Sequence, residues 1–195
     1  MSNRNLDPYL VHPFDLKNRL LRAAWKFVYV FLFRFSPRPL HAWRAFLLRC
    51  FGAKLGANVH IYPKASIWAP WNLICADTAA IADEAVVYNP SPITLGSHAI
   101  VSQQAYLCGA THAYDEPGFP LVSYPMSIGD HAWICARATV QPGVNVGEGA
   151  VLALGSVATK FLEPWTVYGG VPARQIKKRV NPTQFLEEEF EVQSK

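Results

Sequence analysis

The sequence predicts an all-β solenoid, a parallel β-helix of hexapeptide repeats preceded by helices, and three observations predict it. Aliphatic residues recur every six positions: Leu55, Ile61 and Ile67, then Ile81 and Val87 after Cys75, then Leu95, Val101 and Leu107, and finally Ile128, Ile134, Val140, Val146 and Leu152. Four positions after most of them the residue is small, as at Ala79, Ala85, Ala99, Ala132 and Ala150, and Gly or Ala often follows directly, as at Gly56, Ala82 and Gly96. The first hexads come in threes, separated by two extra residues at 73–74 and again at 93–94. A period of six is no multiple of about 3.6, so an apolar stripe would wander round a helix. Turn residues do not recur at hairpin spacing, which excludes an ordinary antiparallel sheet. A coil of three short strands fits all three observations. Each aliphatic side chain stacks on its equivalent about 4.8 Å away, and small residues fill the corners.

Taken in order, residues 1–52 read as a helical cap. Asp15 to Phe35 holds no Pro or Gly, "SPRP" at Ser36–Pro39 stops that segment, and a second helix from Leu40 to Phe51 ends at Gly52. Lys17, Arg19, Arg22, Lys26, Arg34, Arg38, Arg44 and Arg49 punctuate these helices among aromatic residues. Two readings stay open: a cover packed on the solenoid or a neighbouring subunit, and a surface resting on an anionic membrane. Residues 53–173 are the solenoid, interrupted by a protruding loop at 113–127 that follows "LCGATH". Residues 174–195 leave the repeat as a basic tail and a short acidic helix starting near Pro182.

Bulk properties narrow the function. The 195 residues carry a net charge of +4, too mild for a nucleic-acid footprint, and no nucleic-acid motif accompanies it. Cys50, Cys75, Cys108 and Cys135 are widely spaced without a CxxC, which suits buried thiols in a reducing cytoplasm. The N-terminus lacks a secretory signal, and the apolar run from Trp25 to Phe35 is shorter than the roughly 20 residues a bilayer span requires. The expected location is cytoplasmic, with peripheral contact at the inner face of the membrane left open.

The hexads, the loop-flanking "TH" of Thr111 and His112, and the ending "GSVATKFLEPWTVYGGVPARQIKK" resemble the hexapeptide-repeat acyltransferases, in particular their sugar O-acetyltransferase branch. With "SPRPLHAWRAFLLRCFGAKLG" and "IYPKASIWAPWNL", the chain is most similar to the colanic-acid-type exopolysaccharide acetyltransferases. That resemblance implies a left-handed coil and a homotrimer with active sites between neighbouring solenoids. It also implies acetyl-CoA as donor, with no metal, and a sugar or oligosaccharide acceptor that could be lipid-linked.

Acetyl transfer from a thioester to a hydroxyl needs a base, because a free alcohol is a weak nucleophile, and imidazole is suited to that task. His112 matches the family's catalytic histidine. A carboxylate from Asp115 or Glu116, or a main-chain carbonyl, could orient its ring, and Asp115 is assigned to the acceptor side with Asn89. The family's usual acceptor-binding asparagine aligns with Ala82, so this pocket departs from the simple pattern. On the donor side the resemblance assigns CoA contacts to Trp133, Ala136, Leu154, Thr159, Lys160 and Arg174, the cations suiting its phosphates. An amino-group acceptor is the alternative. A zinc site lacks the paired histidines it needs, and a bare scaffold or ice-binding solenoid lacks a flat threonine ladder.

Overall fold

The computed structural model describes residues 13–181, and within them the chain winds into a parallel β-solenoid with three faces. The first face stacks Lys54–Leu55, Leu73–Cys75, Ile93–Leu95 and Met126–Ile128, and single bridges from Ile128 to Val146 and on to Leu162 continue it. The second stacks His60–Ile61, Ala80–Ile81, Ile100–Val101, Trp133–Ile134, Val151–Leu152 and Thr166–Gly169. The third stacks Ser66–Ile67, Val86–Tyr88, Tyr106–Cys108, Thr139–Val140 and Val157–Ala158.

The register is the one the hexads dictate. On the second face Ile61 pairs with Ile81, then Val101, Ile134, Leu152 and Tyr168, so like residues lie over like through the whole column. All but Tyr168 are fully buried. Cys75 takes an aliphatic place between Leu55 and Leu95. Burial pushes its thiol up to about 12, so it stays protonated and acts as an apolar side chain. No cysteine is disulfide-bonded among the described residues.

The corners explain the small residues. Each is a turn closed by a bond such as Ala99 N–H to the Gly96 carbonyl (3.2 Å), Ala132 to Gly129 (3.2 Å) and Ala138 to Cys135 (3.1 Å). The residue before the closing alanine has positive φ, as at Thr78, Glu84, His98, Gln104, His131 and Arg137. That combination is the signature of a type II turn. It swings the alanine methyl inward, where Ala79, Ala85, Ala99, Ala105, Ala132 and Ala138 are fully buried. Glycine opens some turns because the next coil crosses there. A Cβ on Gly96 would collide with the Asp130 carboxylate and lie 2.5 Å from the Asp130 nitrogen. The space lets Asp130 Oδ1 accept the Ser97 N–H at 2.7 Å, as Asp77 Oδ1 accepts that of Ala57 at 2.7 Å.

Two helices cover the first coil. Helix α1, Leu16–Val28, begins where Asp15 Oδ1 accepts the Asn18 N–H at 2.8 Å, and it runs into a π-helical turn at Tyr29–Phe33. Helix α2 spans His41–Cys50. Trp25, Phe33, Leu47 and Leu48 are buried and join the solenoid core, and the Trp25 indole N–H donates to the Ile67 carbonyl at 2.8 Å. Arg44, fully buried, fixes the chain between the helices. Its guanidinium donates to the carbonyls of Ile61, Pro37 and Arg38 and to the Ser36 hydroxyl. The packed-cover reading therefore describes the inner side of these helices.

Two expectations change. The basic segment from Arg174 takes a regular form: Arg174–Lys178 is a strand antiparallel to Thr166–Gly169, pairing the otherwise open edge of the second face. Arg179 adds a clamp, donating to the carbonyls of His131 and Gly149 at 2.9 Å each. The helix expected from Pro182 lies outside the described residues. The excursion at 113–127 is in part a hairpin, with Ala110–His112 antiparallel to Leu121–Ser123 before Met126 rejoins the first face beside Ile93.

Replacing Arg44 by Met would take the guanidinium from the carbonyls of Ile61, Pro37 and Arg38 and from the Ser36 hydroxyl, of which only the Ile61 bond is fully buried. At about 1–3 kcal/mol for the loss of a buried bond to a charged group, Arg44→Met is expected to lower unfolding free energy by about 1–3 kcal/mol in urea titration, against less than about 0.5 kcal/mol for the exposed Lys54→Met.

Candidate active site

His112 stands where the coil stops. It ends the outgoing arm of the hairpin, half-buried, at the corner leading from the third face back to the first. Its Nδ1 lies 2.9 Å from the Phe119 carbonyl oxygen on the returning side. A carbonyl can only accept, so Nδ1 carries the proton, and in the neutral imidazole Nε2 is then the nitrogen with the lone pair. The Phe119 ring stacks on the imidazole with centroids 4.6 Å apart and planes 10° from parallel. Phe119 reaches this place through left-handed backbone, with φ 49° after Gly118 at φ 85°. One residue thus fixes both the tilt and the tautomer of the ring.

The orienting group is the main-chain carbonyl. The side chains of Asp115 and Glu116 are exposed and make no hydrogen bond or ion pair among the described residues.

Asn89 requires a correction. It is fully buried, its Oδ1 accepts the Ala69 N–H at 2.9 Å, and its Nδ2 donates to the Ala69 carbonyl at 2.8 Å. Each end of the amide is engaged in pinning one coil to the next, and the side chain has no exposed surface at which to meet an acceptor hydroxyl. Ala82, at the corner between the second and third faces, is buried and offers no polar side chain there.

The donor-side residues fall on two edges. Trp133 is 45% exposed on the second face, and its indole N–H donates to Ser102 Oγ at 2.8 Å. Ala136 follows at the corner between the second and third faces, where its carbonyl accepts the Gly155 N–H at 3.0 Å. Leu154, 71% exposed, occupies that corner one coil later, and exposed Arg174 follows its last turn. Thr159 and exposed Lys160 lie beyond the third face, at the corner His112 occupies in an earlier coil. Within one chain, then, His112 and the Trp133 edge are separated by the width of the third face.

Sequence reasoning missed Phe119 and Ser102. Phe119 lies in the aperiodic excursion, where no spacing rule operates. Ser102 follows Val101 at a position that is Gly or Ala in some hexads but Tyr62, Trp68, Tyr88 or Cys135 in others, so its residue type carried no signal of its own. Among the described residues no group of three His, Cys, Asp or Glu side chains could hold a metal ion.

The chain is 40% identical to the putative colanic acid biosynthesis acetyltransferase WcaF of Escherichia coli (strain K12) over 163 residues, covering 84% of this chain and 90% of that protein. A hexapeptide-repeat acetyltransferase from Vibrio cholerae, solved with acetyl coenzyme A, superposes with a TM-score of 0.78 at 24% identity, covering 93% of this chain and 100% of that one. A maltose O-acetyltransferase from Clostridium difficile 630 gives a TM-score of 0.76 at 23% identity, covering 86% and 90%. No family model matches the chain. A hexapeptide solenoid broken after a carbonyl-locked histidine, with relatives of this kind along nearly its full length, defines an acyltransferase. The chain belongs to the hexapeptide-repeat acetyltransferase family.

Because a carbonyl and not a carboxylate orients His112, Asp115→Asn is expected to leave the acyl-transfer kcat and its pH profile unchanged, with any loss confined to KM for the acceptor. Steady-state kinetics across pH would check this, and a fall in kcat would return the orienting role to the carboxylate.

Proposed function

We propose that the protein transfers the acetyl group of acetyl-CoA to a sugar hydroxyl during assembly of a colanic-acid-like exopolysaccharide, with His112 as general base. The observation that carries this reading is the bond from Nδ1–H of His112 to the Phe119 carbonyl, which leaves Nε2 as a base. Similarity to WcaF across most of both chains supports the pathway class.

In this mechanism Nε2 accepts the hydroxyl proton as the oxygen attacks the thioester carbonyl. The Phe119 carbonyl steadies the imidazolium through Nδ1. The tetrahedral intermediate collapses with loss of the CoA thiolate, and Nε2 returns the proton to sulfur. Trp133, Ala136, Leu154 and Arg174 line the donor edge. Thr159 and Lys160 take the nucleotide end, and Asp115 stands on the acceptor side. An edge from one chain and His112 from its neighbour form one site in a homotrimer, which accounts for their separation on a single chain. The acceptor is a sugar or oligosaccharide carried on lipid at the cytoplasmic side of the membrane, with the N-terminal helices against the bilayer. An amine acceptor depends less on a base, so the poised Nε2 favours oxygen over nitrogen.

His112→Ala is expected to lower CoA release from acetyl-CoA and a glycan acceptor by about 10²–10⁴-fold with its melting temperature unchanged. An active, folded variant would remove His112 from the chemistry. Mixing denatured and refolded His112→Ala with Trp133→Ala tests the shared site. If each site takes His112 from one chain and the donor edge from the next, the mixture regains up to roughly a quarter of wild-type activity by random assembly, whereas sites within single chains regain none.

A further inference from the structure

Helix α1 is apolar on the side turned away from the protein. Its inner side is set by Asn18, Arg22, Trp25 and Tyr29, spaced to lie along one stripe and partly or wholly buried against the first coil. The opposite stripe holds Leu16, Leu20, Phe27 and Phe31, between 62% and 66% exposed, with Ala23 and Ala24 among them. The rings of Phe27 and Phe31 meet at a tilt with centroids 4.6 Å apart, and Phe35, 77% exposed, extends the surface past the π-helical turn. Water gains nothing from such a face, and the solenoid already has its cover on the other side.

Charge indicates what covers it. Lys17 flanks the apolar stripe on one side, Arg19 and Lys26 on the other, and Arg34 follows at its C-terminal end. All four are exposed, and none is in a salt bridge among the described residues. Between Asp15 and Asp77 the chain carries no carboxylate side chain at all. A second copy of this surface would bring like charges together, whereas an anionic bilayer neutralises them while taking up the phenyl and isobutyl groups. No helix among the described residues is long and apolar enough to cross a membrane, so α1 would lie in the interface plane.

We infer that the outer stripe of α1, centred on Leu20, Phe27 and Phe31, is a docking surface for an anionic lipid bilayer. This deepens the membrane contact in the proposed function, and its test uses no substrate, so failure here leaves the acyl transfer standing. Full-length protein is sedimented with vesicles of phosphatidylcholine alone and of phosphatidylcholine mixed with phosphatidylglycerol. It is expected to bind the mixed vesicles and be released by added salt. Phe27→Ser combined with Phe31→Ser is expected to lower partitioning at least about tenfold and to leave transfer to a soluble acceptor unchanged. Lys17→Glu combined with Lys26→Glu is expected to abolish the preference for phosphatidylglycerol. Absence of vesicle binding at low salt, or equal binding by the Phe27/Phe31 variant, overturns the inference. So does a change in oligomeric state when those phenylalanines are replaced, which would assign the stripe to a second copy of the chain.

Discussion

The fold depends on one constraint, that each coil must set its inward side chains directly on those of the coil before. The column from Ile61 through Ile81, Val101, Ile134 and Leu152 is that constraint made visible. Before Thr166 each strand is only two or three residues long, too short to hold a register by hydrogen bonds alone. Burial does the work: a slip of one residue would turn every aliphatic group outward and a polar one inward. Variation is consequently excluded from the faces and driven to the corners. The excursion leaves at a corner after Cys108 and rejoins at Met126 in register with Ile93, so the stacking resumes as though nothing had been inserted.

What could be read from the sequence follows the same division. The hexads were legible because their cause is periodic, and His112 because it adjoins the break in the period. The positive φ at Thr78, His98 and Arg137 was not legible, since those residue types are ordinary anywhere and only the turn demands the conformation. Asn89 misled for a related reason. An asparagine beside a corner looks available, and nothing in the chain announces that the Ala69 amide one coil earlier will use both ends of its side chain. Arg174–Lys178 failed as an element because an edge strand is stabilised by the strand it joins, not by a pattern of its own.

A solenoid also has ends, and they are treated differently. At the C-terminal end Arg174–Lys178 pairs an open edge and Arg179 is seated over Trp165 while reaching two carbonyls of earlier coils. At the N-terminal end a helical pair inserts Trp25, Phe33 and Leu48 and is held in position by buried Arg44. The second solution costs more chain than covering a single coil requires, and it leaves α1 with an apolar outer stripe. That excess is what separates a cover from a cover with a further partner.

The choice of a carbonyl to hold His112 has consequences of its own. A carboxylate would favour the imidazolium by full charge and would be independent of the loop's backbone path. The Phe119 carbonyl supplies only a dipole, and through it the loop's own backbone sets which ring nitrogen carries the proton. The partner is also main chain, held by left-handed residues at the hairpin tip. The ring is therefore held in this orientation only while the excursion keeps this shape, and any contact that orders the hairpin also orders His112. The inserted loop and His112 are in that sense one unit. The loop breaks the repeat, and its return carries the carbonyl that orients the residue at the break.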